Sequence, residues 1–162
     1  MSRHEHLTGN DNYFDNFAVG DVYRHARGKT ITENEAVTIC HLVLNTAEGH
    51  FNDDLMARAH AAGMMKVDRS LVFGGVTISV TIGLAYQDTG EQVIREIAMD
   101  NMKLLEPVVH GDTIYSYTEV LEREDVDESS GKVTFRHYGV NHRDQVVFQG
   151  DRSALVRKRP AS

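Results

Sequence analysis

Residues 74–90 read Gly-Gly-Val-Thr-Ile-Ser-Val-Thr-Ile-Gly-Leu-Ala-Tyr-Gln-Asp-Thr-Gly, and the fold turns on whether this run is a helix or a strand. It is rich in β-branched residues, so propensity alone permits a strand. Length decides otherwise. From Val76 through Ile78, Val80, Ile82, Leu84 and Ala85 the apolar run covers about 13 residues before Gly90, longer than a typical strand. A long buried helix is therefore predicted, opening at Gly74-Gly75.

N-terminal to this helix the texture is also helical. Thr32 followed by Glu35 fits a capping box, and Ala36, Val37, Ile39, Cys40, Val43 and Leu44 recur at helical spacing. A polar loop, 45–52, separates that helix from a short one starting at Asp53 and stopped by Gly63. C-terminal to it the texture changes to strands over 94–102, 113–123, 132–141 and 145–157. Turn residues divide them: Pro107 with Gly111-Asp112, Ser129-Ser130-Gly131, and Asn141-His142-Arg143-Asp144. Consecutive strands joined by short turns are expected to pair antiparallel. Such a sheet with one long apolar helix buries that helix against one face, which gives a two-layer α+β domain.

Composition narrows the function classes. With 24 acidic against 17 basic residues, the net charge of −7 argues against a nucleic-acid backbone as partner. The cluster Arg157, Lys158 and Arg159 is expected to be a solvated tail. No stretch reaches the roughly 18 apolar residues of a membrane span. The polar start, with His4, Glu5 and His6, lacks the pattern of a signal peptide. The lone Cys40 permits no internal disulfide and suits a reducing compartment, so a cytoplasmic location is expected. No linker or repeat divides the chain, so one domain is expected over 13–159, after a flexible segment 1–12.

Two features carry chemistry. The loop Asn45-Thr46-Ala47-Glu48-Gly49-His50-Phe51-Asn52-Asp53 concentrates an imidazole, two carboxylates and two amides between two helices. Histidine suits acid–base work near neutral pH, but a surface loop whose Asp53 caps the next helix fits the same residues. Gly74-Gly75 at a helix start brings free backbone N–H groups close to a ligand, which can stabilise an oxyanion. A tight turn into the helix accounts for them equally well. His25, His110, His137 and His142 are expected at the surface, and His41 and His60 in packing positions. No pair of histidines shows zinc-site spacing, so no metal is expected.

In this order and spacing, the two features resemble the MaoC-like dehydratases, which include the R-specific enoyl-CoA hydratases. The loop 45–53 is similar to that family's hydratase motif, and Val72-Phe73-Gly74-Gly75-Val76 to the segment opening its central helix. The run from Met102 through Pro107 and Gly111-Asp112-Thr113 to Tyr115, and the closing segments 139–141, 146–148 and 154–157, extend the likeness. So do Phe14–Asp21 and Thr30–Glu33. The resemblance implies a hotdog fold, an antiparallel sheet wrapped around a long central helix, assembled as a homodimer or a dimer of dimers. It also implies reversible addition of water to a 2-enoyl-CoA, with coenzyme A as part of the substrate and no cofactor. His50 is then the general acid–base, with backbone N–H groups near Gly75 holding the thioester oxygen.

The chain departs from the family pattern at Asn45, where an Asp usually stands, and at Ala47 and Glu48. Gly74 stands where the family usually has His. An amide orients water but cannot act as a carboxylate base. Subgroups acting on short branched or dicarboxylic acyl-CoAs, such as mesaconyl-CoA, are more similar at Asn45. A hotdog thioesterase and a non-catalytic acyl-CoA-binding subunit are the alternatives.

Overall fold

The computed structural model describes residues 3–7 and 12–160. Strands β2 (Val22–Thr30), β3 (Val93–Leu104), β4 (Thr113–Asp125), β5 (Ser130–Asn141) and β6 (Val146–Arg157) build an antiparallel sheet in the order β2-β4-β5-β6-β3. Strand β1 (Arg3–Leu7) adds to β2 in parallel. Part of the segment expected to be flexible is therefore a strand, and residues 1–2 and 8–11 lie outside the described residues. Helices α1 (Glu33–Leu42), α2 (Asp53–Ala61) and α3 (Gly74–Thr89) intervene between β2 and β3. The decisive run is a helix, as its length required.

One pairing differs from expectation. β3 and β4 are consecutive yet do not pair, because β3 lies at the far edge against β6. Reaching β4 means crossing three strand spacings, roughly 14 Å, and residues 105–112 extend to roughly 26 Å. The loop is long enough to cross, so the local turn signal does not force a hairpin. Gly111 takes a φ of +92° in this crossover, where a side chain would be strained. Buried Asp112 anchors it by accepting from both Nη atoms of Arg143 at 2.9 and 3.2 Å.

The sheet face under α3 changes character along its length. On β4 the inward positions run Ile114, Ser116, Thr118, Val120, all buried. The apolar ends belong to two separate core clusters. One gathers Phe14, Phe17, Tyr23, Val120, Val133 and Phe135; the other gathers Ile31, Val72, Val76, Ile114, Val147 and Phe148. Between them runs a polar band. His25 Nδ1 lies 2.7 Å from Asp88 Oδ2, and Thr118 Oγ1 lies 2.8 Å from both His25 Nε2 and His137 Nδ1. Gly139 keeps α3 close here, since a Cβ on it would collide with Thr81 Oγ1.

His25 and His137 are thus buried, contrary to the surface position expected of them. His25 sits on β2, a strand whose mixed composition concealed it, and shares its inward parity with Tyr23. His137 shares parity with Val133 and Phe135, so strict alternation along β5 points it inward. Burial, and then Arg152, hold His137 well below the usual imidazole range, so it stays neutral. His142 is exposed as expected and His110 is half-buried; His41 and His60, expected to pack in the interior or at an interface, are not in the interior of the chain. The basic tail is pinned rather than free: Lys158 Nζ pairs with Asp125 at 2.7 Å, and Arg159 lies over the Tyr13 ring.

Candidate active site

The loop after α1 begins with a strained turn. The N–H groups of Leu44 and Asn45 donate to the carbonyls of His41 and Cys40, so a Schellman motif closes the helix. The left-handed position, usually Gly, is Leu44 at φ 56°. A non-Gly residue there costs roughly 1–2 kcal/mol, and it reverses the chain so that Asn45 opens the next turn. The Asn45 carboxamide oxygen accepts from the Ala47 N–H at 3.0 Å, an Asx-turn that leads into the single 3₁₀ turn Glu48–His50.

That turn is fastened to Leu71 from both sides. The Leu71 N–H donates to the Gly49 carbonyl at 2.9 Å, and the His50 Nδ1–H donates to the Leu71 carbonyl at 2.9 Å. A carbonyl can only accept, so this bond assigns the Nδ1 proton of the neutral ring and leaves the lone pair on Nε2. The Val72 N–H in turn donates to the Val108 carbonyl, which ties the segment to the crossover. Asn52, not Asp53, caps α2 by accepting from the Leu55 N–H. The Asp53 carboxylate instead accepts from the backbone N–H and hydroxyl of Ser70, bonds that hold its carboxyl below the usual range. It thereby secures the residue preceding Leu71.

His50 lines a cleft of about 340 Å³ whose other walls include Gly74, Thr77, Leu104, Leu105 and Val108. The Phe73 ring lies edge-on to the imidazole at 5.7 Å. Helix α3 starts at this cleft. Val76 and Thr77 direct their N–H groups to the Phe73 carbonyl, and among the described residues no acceptor meets the N–H groups of Gly74 or Gly75. A larger cleft of about 440 Å³ lies beyond Ser70, lined by Asp53, Asp54, Asp68, Arg69 and His110. It is more open, and the helix start it meets, that of α2, is already capped by Asn52 and carries the carboxylates Asp53 and Asp54, so the smaller one has the better chemistry: an oriented imidazole, paired donors and apolar walls.

Of the three residues singled out in the sequence, His50 lies in this cleft. Gly74 forms its wall directly, and Gly75 is the next residue of the helix start. Among the described residues Asn45 makes no hydrogen bond to His50; its oxygen accepts from the Ala47 N–H, and His50 Nδ1 turns to the Leu71 carbonyl. Leu71, whose carbonyl sets the His50 tautomer, carries no signal in sequence, because any residue supplies a carbonyl.

A five-stranded antiparallel sheet wrapped on one long helix, with a histidine loop over the helix start, defines a hotdog-fold protein. Solved structures agree. The monoamine oxidase regulatory protein from Archaeoglobus fulgius superposes with a TM-score of 0.77 at 26% identity, over 97% of this chain and 98% of that one. Rv0216 from Mycobacterium tuberculosis, described as a double hotdog fold, superposes with a TM-score of 0.79 at 24% identity, over 93% of this chain and 46% of that one. The family model described as mesaconyl-CoA hydratase matches residues 4–158, and the chain belongs to that family. Mesaconyl-CoA hydratase of Haloarcula marismortui is 34% identical over 139 residues, which cover 84% of this chain and 36% of the relative. The chain thus spans about a third of the length of the curated relatives it matches.

Proposed function

We propose that the chain is an acyl-CoA hydratase or dehydratase, a hydro-lyase that adds water reversibly to a 2-enoyl-CoA with a short branched or dicarboxylic acyl group. The observation that carries this is the His50–Leu71 bond, which leaves the Nε2 lone pair available to a cleft bordered by free helix-start donors. In the hydration direction, Nε2 takes a proton from water as its oxygen bonds to C3. The C2–C3 π electrons move toward C1, and negative charge gathers on the thioester oxygen. The N–H groups at Gly74 and Gly75 meet that charge, and stabilising it lowers the barrier most. The imidazolium then returns its proton to C2. Asn45 is a positioning residue that shapes the turn presenting His50. No step needs a cofactor.

The assay is loss of the enoyl-thioester absorbance across a panel of enoyl-CoAs, with a thiol reagent in parallel. Absorbance loss without free thiol supports the hydratase. Thiol release assigns a thioesterase, and binding without turnover assigns a non-catalytic subunit.

The assembly belongs to the same reading. No helix among the described residues is long and apolar enough to cross a membrane, and a cytoplasmic homodimer, or a dimer of dimers, is the proposed form. Edge strand β3 leaves Ile94, Ile97 and Met99 exposed, and an unprotected edge invites pairing. Light scattering should give at least a dimer at micromolar concentration; a monomer would overturn it.

A further inference from the structure

We infer that the Lys66–Glu106 ion pair reads the charge of the acyl group, with Lys66 receiving the second carboxylate of a dicarboxylic enoyl thioester. The inference rests on the hydratase reading above. Among the described residues, two ionisable side chains line the cleft, His50 and Glu106. Glu106 alone would repel an acyl group that carries its own carboxylate. Its Oε2, however, accepts from Lys66 Nζ at 2.9 Å. Glu106 lies in the crossover that also supplies Pro107 and Val108 to the wall, and Lys66, in the segment between α2 and Leu71, is not itself a lining residue but places its ammonium at the cleft by pairing with Glu106.

Folding does not require this pair. Both partners are exposed, Lys66 at 72% and Glu106 at 38%, and exposed ion pairs add little to stability. The same weakness suits an exchangeable contact. A lysine ammonium is a compact charge with three donors on a flexible stem. It can bridge Glu106 and an incoming carboxylate, or exchange one for the other, with no movement of the backbone. Besides His50, Thr77 and Glu106 the walls are apolar, with Leu104, Leu105 and Val108 in them, so among the described residues an acyl carboxylate meets a cation only at Lys66.

The test compares mesaconyl-CoA, which bears a second carboxylate, with crotonyl-CoA, which does not. Lys66→Met should raise KM for mesaconyl-CoA by about tenfold, the scale of one lost contact to a charged group, and leave crotonyl-CoA within about twofold. Glu106→Gln should shift selectivity the opposite way, toward mesaconyl-CoA. Equal effects on both substrates would place Lys66 on the coenzyme A moiety and overturn the proposal, as would no effect on either. If the wild-type chain hydrates neither compound, the hydratase reading fails separately. The saturated thioesters methylsuccinyl-CoA and butyryl-CoA then supply the same comparison by calorimetric titration. Selective loss of methylsuccinyl-CoA binding in Lys66→Met supports the charge-reading role, and a uniform or absent change ends it.

Discussion

Replacing His50 separates its chemistry from its packing. In His50→Ala the Leu71 carbonyl loses its donor at 2.9 Å and the Phe73 ring loses its edge contact at 5.7 Å. The site is half-open, so water meets part of the carbonyl's need, and the stability cost stays at about 1–2 kcal/mol. Typical domains hold roughly 5–15 kcal/mol, so the variant remains almost wholly folded at 25 °C. Loss of a general acid–base group lowers turnover by about 10²–10⁴-fold, or roughly 3–5 kcal/mol of barrier. The kinetic loss therefore exceeds anything that unfolding supplies. His50→Asn sharpens the comparison, because its carboxamide nitrogen sits where Nδ1 does and can still donate to Leu71. It should melt close to the wild type yet lose turnover as His50→Ala does. Enoyl-thioester absorbance gives the rates and circular dichroism the melting curves. Turnover of either variant within about tenfold of wild type would refute the acid–base role.

Three further outcomes follow from the geometry. Asn45→Ala should slow turnover less than His50→Ala, while Asn45→Asp keeps the acceptor for Ala47 and should leave the melting temperature and turnover unchanged; a rise in turnover would mean the position wants a carboxylate. Asp151 accepts from Arg136 at 2.7 and 2.9 Å and from Asn101 at 2.8 Å, and Arg136 is the main cause holding its carboxyl below the ordinary value of 3.8. Its contribution to stability is therefore complete above that value and lost as pH falls through the lower folded one. Asp151→Asn should flatten the acid limb of urea-denaturation stability against pH below about 5, and an unchanged limb would remove Asp151 as its source. Gly139→Ala should destabilise by about 1–3 kcal/mol, because the new methyl meets Thr81 Oγ1 and closes to 3.3 Å on Phe148 Cβ, prying α3 from the sheet; an unchanged thermal melt would show that the helix yields freely.

Local signals settled a good deal on their own. The Thr32–Glu35 capping box forms as read, with Glu35 N–H on Thr32 Oγ1 and Thr32 N–H on Glu35 Oε2. The length of 74–89 fixed the central helix, and alternation with turn residues placed β3 to β6 to within about two residues at their ends. These signals are short-range, since a cap, a period or a turn is decided by residues within a few positions of one another.

What escaped was set by distant partners. β2 contains Arg24, Arg27, Gly28 and Lys29, a polar stretch with no strand signal of its own. It is a strand because β4 supplies its ladder, with Tyr115 packed over Gly28. The buried His25–Asp88 contact joins residues 63 apart, and only the docking of α3 on the sheet turns two ordinary polar residues into a desolvated pair. At the candidate site, sequence alone offered His50 and the glycines of the helix start. The tertiary structure decided that His50 keeps its Nε2 lone pair, that Gly74 rather than Gly75 walls the cleft, and that Asn45 serves the backbone. Each of those rests on a main-chain carbonyl or N–H brought in by packing, and such groups are identical in every residue, so no side-chain pattern can announce them.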